Sequence, residues 1–316
     1  MSVVAEALDI VRFVHFAATM ALVGIAAFRH YAFAGRAEDS DARTALDVAL
    51  ARTISVAAAV ALVSALAMIP VVAAEMAGAA AATIDPAIWH TVLVDTRFGQ
   101  VWCWHLGFAA VLLALCAAPG SRWQGRAVAL VALLLLVSLA WVGHATEGKR
   151  PVATAHEVNQ MVHLTSAAIW LGGLVPLGIL LRRALGPDGS AYLPLARAAL
   201  PHFSQIGYVA VALVGLTGAI NGVFLVGSFH ALAMTPYGRL LLLKIALFAA
   251  MVGLALVNRF RLMPLLHAAA VPELPLRALL RSVVAEQALG LAVLGVVAVL
   301  GTWPPAIHTT MGNMKM

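Results

Sequence analysis

His15, His105, His163 and Lys244 each lie inside an apolar stretch. An ionisable side chain there costs free energy and by default marks a functional site. His144 and His156 lie at the edges of such stretches. Neutral imidazole is the commonest protein metal ligand and suits copper, zinc and iron. Histidines from several helices at one depth therefore point to a joint metal site. His15, His105 and His163 are its expected central ligands, with His144, His156 or Met161 completing the shell. A second chemistry uses the same residues, a b-type cytochrome in which His15 and His163 ligate haem axially. In a third, the histidines are structural and the chain is a non-transporting assembly factor that docks partners.

Lys244 costs about 2.5–3.5 kcal/mol in a membrane interior unless it is paired or snorkels to the interface. Its candidate partners are Glu75, Asp95 and Glu157, while Asn159 and Gln160 extend a polar stripe on the helix of His163. Thioethers are also plentiful: Met20 near His15, Met76, Met161 beside His163, and a tail with His308, Met311, Met314 and Met316. Thioethers select Cu(I) and imidazole binds either copper oxidation state, so Cu(I) or Cu(II) fits this donor set, and the tail is a candidate capture segment.

Those residues must be held by membrane helices. The 316-residue chain is 63% hydrophobic and 11% charged, and its mean hydropathy is +0.96. Such values describe a polytopic membrane protein in a lipid bilayer, with few soluble segments. The net charge of +6 then encodes orientation and implies no nucleic-acid partner. Cys103 and Cys116 are thirteen residues apart on one expected helix. That is roughly 20 Å, too far for a disulfide. The first eleven residues lack the signature of a cleaved signal peptide.

Eight spans are expected at about 10–34, 53–80, 98–118, 126–145, 156–181, 204–228, 239–260 and 282–303. One set of connections carries Arg29, Arg36, Arg43, Arg52, Arg122, Arg126, Arg182, Arg183, Arg197, Arg259, Arg261, Arg277 and Arg281. The other side has Arg12, Arg97, Lys149, Arg150, Arg239 and Lys315. The excess places the first set in the cytoplasm and both termini in the periplasm. His15 then lies roughly 8 Å below the outer edge, with His105 and Lys244 near that depth.

The halves resemble each other. Val14-His15 stands nine residues before Gly24, and Val162-His163 nine before Gly172. Val60-Ala61-Leu62-Val63 matches Val211-Ala212-Leu213-Val214, and Thr96-Arg97-Phe98-Gly99-Gln100 matches Thr235-Pro236-Tyr237-Gly238-Arg239. On this alignment Lys244 is the counterpart of His105 and makes the site asymmetric. The expected fold is all-α, a tandem 4+4 repeat with a pseudo-twofold along the membrane normal. Its parts are 1–150, 151–306 and a tail, 307–316.

Trp102, Trp104, Trp141, Trp170 and Trp303 are expected in an interfacial aromatic belt. Gly172-Gly173 with Pro176 permits close helix contact or a kink. Glu286 is expected to pair with Arg281 or Arg261, or to cap a polar exit route. No Walker-type ATP-binding motif is visible and no catalytic residues are assigned. The chain is not expected to be an enzyme, and any transport would be passive or ion-coupled.

His163-Leu164 with Ala168-Ile169-Trp170-Leu171-Gly172-Gly173-Leu174, His202-Phe203-Ser204, Thr235-Pro236-Tyr237-Gly238-Arg239 with Leu241-Leu242-Leu243-Lys244, and Asn258-Arg259-Phe260-Arg261 form an ordered set. Gly143-His144-Ala145 precedes it, and Arg281-Ser282, Glu286 and Pro304-Pro305 close it. Over residues 140–306 this set resembles the copper resistance protein D (CopD) family. The resemblance implies a bacterial inner-membrane protein of copper homeostasis and resistance. It would move copper inward from the periplasm or supply copper enzymes, beside a separate periplasmic CopC-like copper-binding protein.

Overall fold

The structure, a computed structural model, describes residues 2–33, 40–118, 123–142, 152–269 and 271–307. Among these residues there is no strand, and eight helices are long and apolar enough to cross a membrane. The first four spans are α1 (Val3–Tyr31), α2 (Asp41–Ala77), α4 (Arg97–Ala117) and α5 (Gln124–Val137), the last continued by a 3-10 turn to Trp141. The fifth joins α6 (Val152–Ala167) to α7 (Gly173–Ala184) through a π-helical turn, Ala168–Gly172. The sixth is α8 (Gly189–Val226) and the seventh joins α10 (Pro236–Val257) to α11 (Met263–Ala268) through a second π turn, Asn258–Leu262. The eighth is α12 (Glu273–Leu300). All eight expected spans are present.

Several helices run past their apolar segments. Helix α2 begins twelve residues before the expected start because Ser40 caps it, its hydroxyl accepting from Arg43 N–H at 3.2 Å, and Arg43 pairs with Asp47 at 3.0 Å one turn on. Two short helices, α3 (Pro86–Asp95) and α9 (Phe229–Met234), fill connections that carry no periodic hydrophobic signal.

These connections share one construction. Both long helices before them end on a left-handed glycine, Gly78 at φ 63° and Gly227 at φ 76°, a conformation that a Cβ disfavours. Thr96 then caps α4 by accepting from Gly99 N–H at 3.0 Å, and Thr235 caps α10 by accepting from Gly238 N–H at 2.9 Å. Both threonines donate to a carbonyl of the preceding short helix, Val92 or Ala231. The matched sequence motifs are thus matched structural corners.

Helix α1 is the hub, packing on α2, α5, α7 and α12. It crosses the fifth span where Gly24 meets Gly172. A Cβ on Gly172 would sit 2.0 Å from the Met20 carbonyl oxygen, so only hydrogen fits. Leu22, Ile25, Phe28, Leu135 and Leu174 are fully enclosed around this crossing. The halves differ in their looser contacts. Helix α2 packs along α4, whereas α8 has no comparable packing on α10, which leans on α12 and α9.

Candidate metal centre

His15 on α1 and His105 on α4 meet with no exposed surface on either. Their Nε2 atoms are 2.8 Å apart and their rings tilt by 58° at a centroid distance of 4.9 Å. Each ring is held from behind by a serine. Ser64 Oγ lies 2.9 Å from His15 Nδ1, and Ser138 Oγ lies 2.7 Å from His105 Nδ1. Each hydroxyl has a carbonyl acceptor in its own helix, Val60 for Ser64 at 2.7 Å and Leu135 for Ser138 at 2.8 Å. With the hydroxyl hydrogens used there, the serine oxygens accept and each imidazole donates from Nδ1–H. That assignment, inferred from the bonding pattern, leaves two Nε2 lone pairs facing each other.

Two buried acceptors do not stay 2.8 Å apart unaided. A cation between them, either a proton or a metal ion, turns the repulsion into two favourable interactions. The serines act as the outer partners that fix tautomer and ring orientation in histidine metal sites.

Trp102 closes one side. It is 2% exposed, donates from Nε1 to the Ala65 carbonyl at 2.9 Å, and stacks on His105 at 4.5 Å and 14°. Phe98 stacks on its other face at 5.0 Å. Trp102 therefore belongs to the site wall and not to an interfacial belt, and Trp170 is likewise buried at 3% exposure.

His163 does not join this pair. Its Nδ1 lies 2.9 Å from Thr217 Oγ1 on α8, and Thr217 donates to Leu213 O, repeating the relay of imidazole to hydroxyl to carbonyl. The Gly24–Gly172 crossing sets α1 and the fifth span back to back, so each histidine turns toward the second span of its own half. The expected three-histidine core is accordingly divided, and among the described residues no three His, Cys, Asp or Glu side chains gather around a metal position.

Lys244 lies within electrostatic reach of the His163 ring and has no ion-pair partner among the described residues. Its expected partners are elsewhere. Glu157 is bound by Arg97 at 3.0 Å, and Glu75 and Asp95 are exposed. Above His163 a polar ladder joins α6 to α8. His156 Nε2 is 3.1 Å from Asn221 Oδ1 and its ring stacks on Phe224 at 4.5 Å. Asn159 donates to Asn221 Oδ1 at 2.8 Å, and Asn221 donates to Gln160 at 2.9 Å. His156 is thus an interhelical partner whose Nε2 is already engaged. Met161 is partly buried, and no hydrogen bond links it to a histidine among the described residues. His144, His308, Met311, Met314 and Met316 lie outside the described residues.

Ser64, Ser138, Thr217 and Asn221 escaped sequence reasoning. The available signal was a lone hydroxyl or amide in an apolar span, with Ser64 directly after the repeated Val-Ala-Leu-Val. Glu286 also departs from expectation, accepting from Asn258 Nδ2 instead of pairing with Arg281 or Arg261.

Residues 3–150 match the description "Copper resistance protein D-like, N-terminal domain", and residues 197–300 match "Copper resistance protein D". The chain is 34% identical to inner membrane protein YebZ of Escherichia coli (strain K12) over 70% of its length and 73% of that protein. It is 30% identical to copper resistance protein D of Pseudomonas syringae pv. tomato, over 95% of this chain and 97% of the other. Copper transport protein CutJ of Bacillus subtilis (strain 168) is 30% identical over 73% of this chain and 41% of its own. No solved structure matches.

Proposed function

The chain belongs to the copper resistance protein D family, and on that premise we propose that it takes up one copper ion between His15 and His105 and passes it across or along the inner membrane. The observation that carries this is the pair of Nε2 atoms facing each other at 2.8 Å, each ring held through Nδ1 by a serine. Copper is the cargo, and the protein is a copper handler without enzymatic chemistry.

The enclosure favours Cu(I). Among the described residues no carboxylate pairs with either imidazole, so the ion's charge is offset only by neutral donors. Desolvation cost rises with the square of the charge, so a divalent ion would pay about four times the cost of a monovalent one. Metal–imidazole bonds run to about 2.0 Å, so loading requires the two rings to part by roughly 1 Å from their 2.8 Å contact. The second half supplies a charge instead of a second ligand. Among the described residues no second imidazole converges on His163, whose ring is engaged by Thr217 and lies within electrostatic reach of Lys244, so the site is single. With the arginine-rich ends in the cytoplasm, His15 and His105 face the periplasmic half, where a separate CopC-like protein would hand over copper.

Titration of purified protein with Cu(I) against a competing chelator tests this, with one tightly held ion per chain expected. No retained copper at stoichiometric loading would reject the site. Ser64→Ala and Ser138→Ala should each weaken that affinity by ~10–100-fold while keeping the one-to-one ratio. Unchanged affinity in both would show that the serines do not orient the ligands.

A further inference from the structure

Glu286 lies thirteen residues into α12, on the arginine-rich side of the histidines, and is only 2% exposed. It borders a cavity of about 80 Å³ that lies among α7, α8, α10 and α12, where α8 packs only loosely on α10. Trp170 and Asn258, one from each π turn, face the same space. Such turns recur at functional positions because the extra residue leaves the helix wider and its bonds looser.

The hydrogen bonding around Glu286 is incomplete in a specific way. Asn258 Nδ2 donates to Glu286 Oε1, yet Asn258 Oδ1 is enclosed and has no donor. No Lys, Arg or His among the described residues lies within 4.0 Å of the carboxylate. Besides Glu286, only Tyr208 and Arg259 of the lining ionise, and the Arg259 guanidinium sits over the Tyr208 ring at 6.0 Å. On neighbouring elements, His267 of α11 is turned to the Met263 carbonyl at 2.8 Å, and Asp9 of α1 meets α12 only beyond its far end at Thr302. On α12 itself Arg281 is exposed and Arg277 pairs with Glu273. A buried carboxylate without a cation and a buried amide oxygen without a donor are both costly.

One proton resolves both defects, and we propose that Glu286 and Asn258 form a proton-binding pair. The protonated carboxyl donates O–H to Asn258 Oδ1 while Asn258 Nδ2–H donates to Glu286 Oε1, which closes a ring of two hydrogen bonds. Water admitted to the cavity supplies the proton and takes it back. In a copper carrier this pair would exchange H⁺ for Cu⁺ with no net charge moved; that use rests on the copper reading, whereas the proton site does not.

The test is infrared spectroscopy of copper-free, full-length protein in lipid, titrated through neutral pH in H₂O and D₂O. Wild type should show the carbonyl stretch of a buried protonated carboxyl, lost in Glu286→Gln. In Asn258→Leu, which keeps the acid but removes its acceptor, the stretch should move to higher frequency. A wild-type spectrum without that stretch, or one that survives unchanged in Glu286→Gln, overturns the proposal. So does a stretch at the same frequency in Asn258→Leu. Because no copper is present, failure of the copper site leaves this result standing, and the reverse also holds.

Discussion

Purified His105→Ala protein should hold no copper in its membrane region under conditions where wild type holds one ion, and His15→Ala should behave the same way. Each variant leaves a single imidazole where two converge at 2.8 Å. Loss of a direct ligand must exceed the ~10–100-fold seen for outer partners. A weakening of more than ~100-fold, worth more than about 2.7 kcal/mol, is therefore expected. His163→Ala is the decisive companion. If one site spans the three histidines, it should fail like the others. In the structure His163 bonds Thr217 and does not join the His15–His105 pair, so this variant should keep its copper at unchanged stoichiometry. Chelator competition on monodisperse protein measures all three. Retention of copper by both His15→Ala and His105→Ala would remove the central site.

What could be read from the sequence was depth, and what could not was azimuth. Apolar runs long enough to span fixed all eight crossings, and polar residues within them marked His15, His105, His163 and Lys244. Which of these face one another depends on the rotation of α1 and α4 about their own axes. That rotation is set by distant contacts such as the Gly24–Gly172 crossing. His15 and His163 look like a symmetric pair in sequence, yet the crossing turns them into separate halves. Ser64 and Ser138 were invisible for another reason. A serine in a membrane helix commonly bonds a carbonyl one turn back, and both do so, so nothing in their spacing reveals the second bond to a histidine. Trp102 sits near a helix end, where belt tryptophans are common, and its stacking on His105 became evident only in three dimensions. The short helices α3 and α9 show no hydrophobic periodicity, because caps define them: Asp85 accepts from Ala87 N–H at the start of α3, Ser228 accepts from Ala231 N–H at the start of α9, and Thr96 and Thr235 close them.

The second large effect concerns that crossing. Gly172→Leu should strongly destabilise the protein, because even a Cβ there would lie 2.0 Å from Met20 O and 2.9 Å from Gly24 Cα. Both obstacles are backbone, so no side chain can swing aside and the helices must separate. Overpacking of a well-packed core costs about 1–3 kcal/mol, and a rigid backbone contact lies at the upper end or beyond. His15 and His163 each lie nine residues before the crossing glycine of their own helix. Parting the helices should then disturb the His15–His105 pair as well. Thermal unfolding followed by size-exclusion should show a lower midpoint for Gly172→Leu, together with weaker copper retention. Gly253→Leu, at a position with open space around the glycine, is the control and should change little. Equal midpoints for Gly172→Leu and wild type would mean that α1 and the fifth span do not cross at this contact.

The most direct measurement of the central claim is X-ray absorption at the copper edge on protein loaded with one equivalent of Cu(I), with the visible spectrum of the same sample. The expected result is copper bound by two imidazole nitrogens with outer-shell scattering from both rings, absent from His15→Ala and His105→Ala, and no Soret band. Copper held without imidazole scattering, or a Soret band from haem, would contradict it.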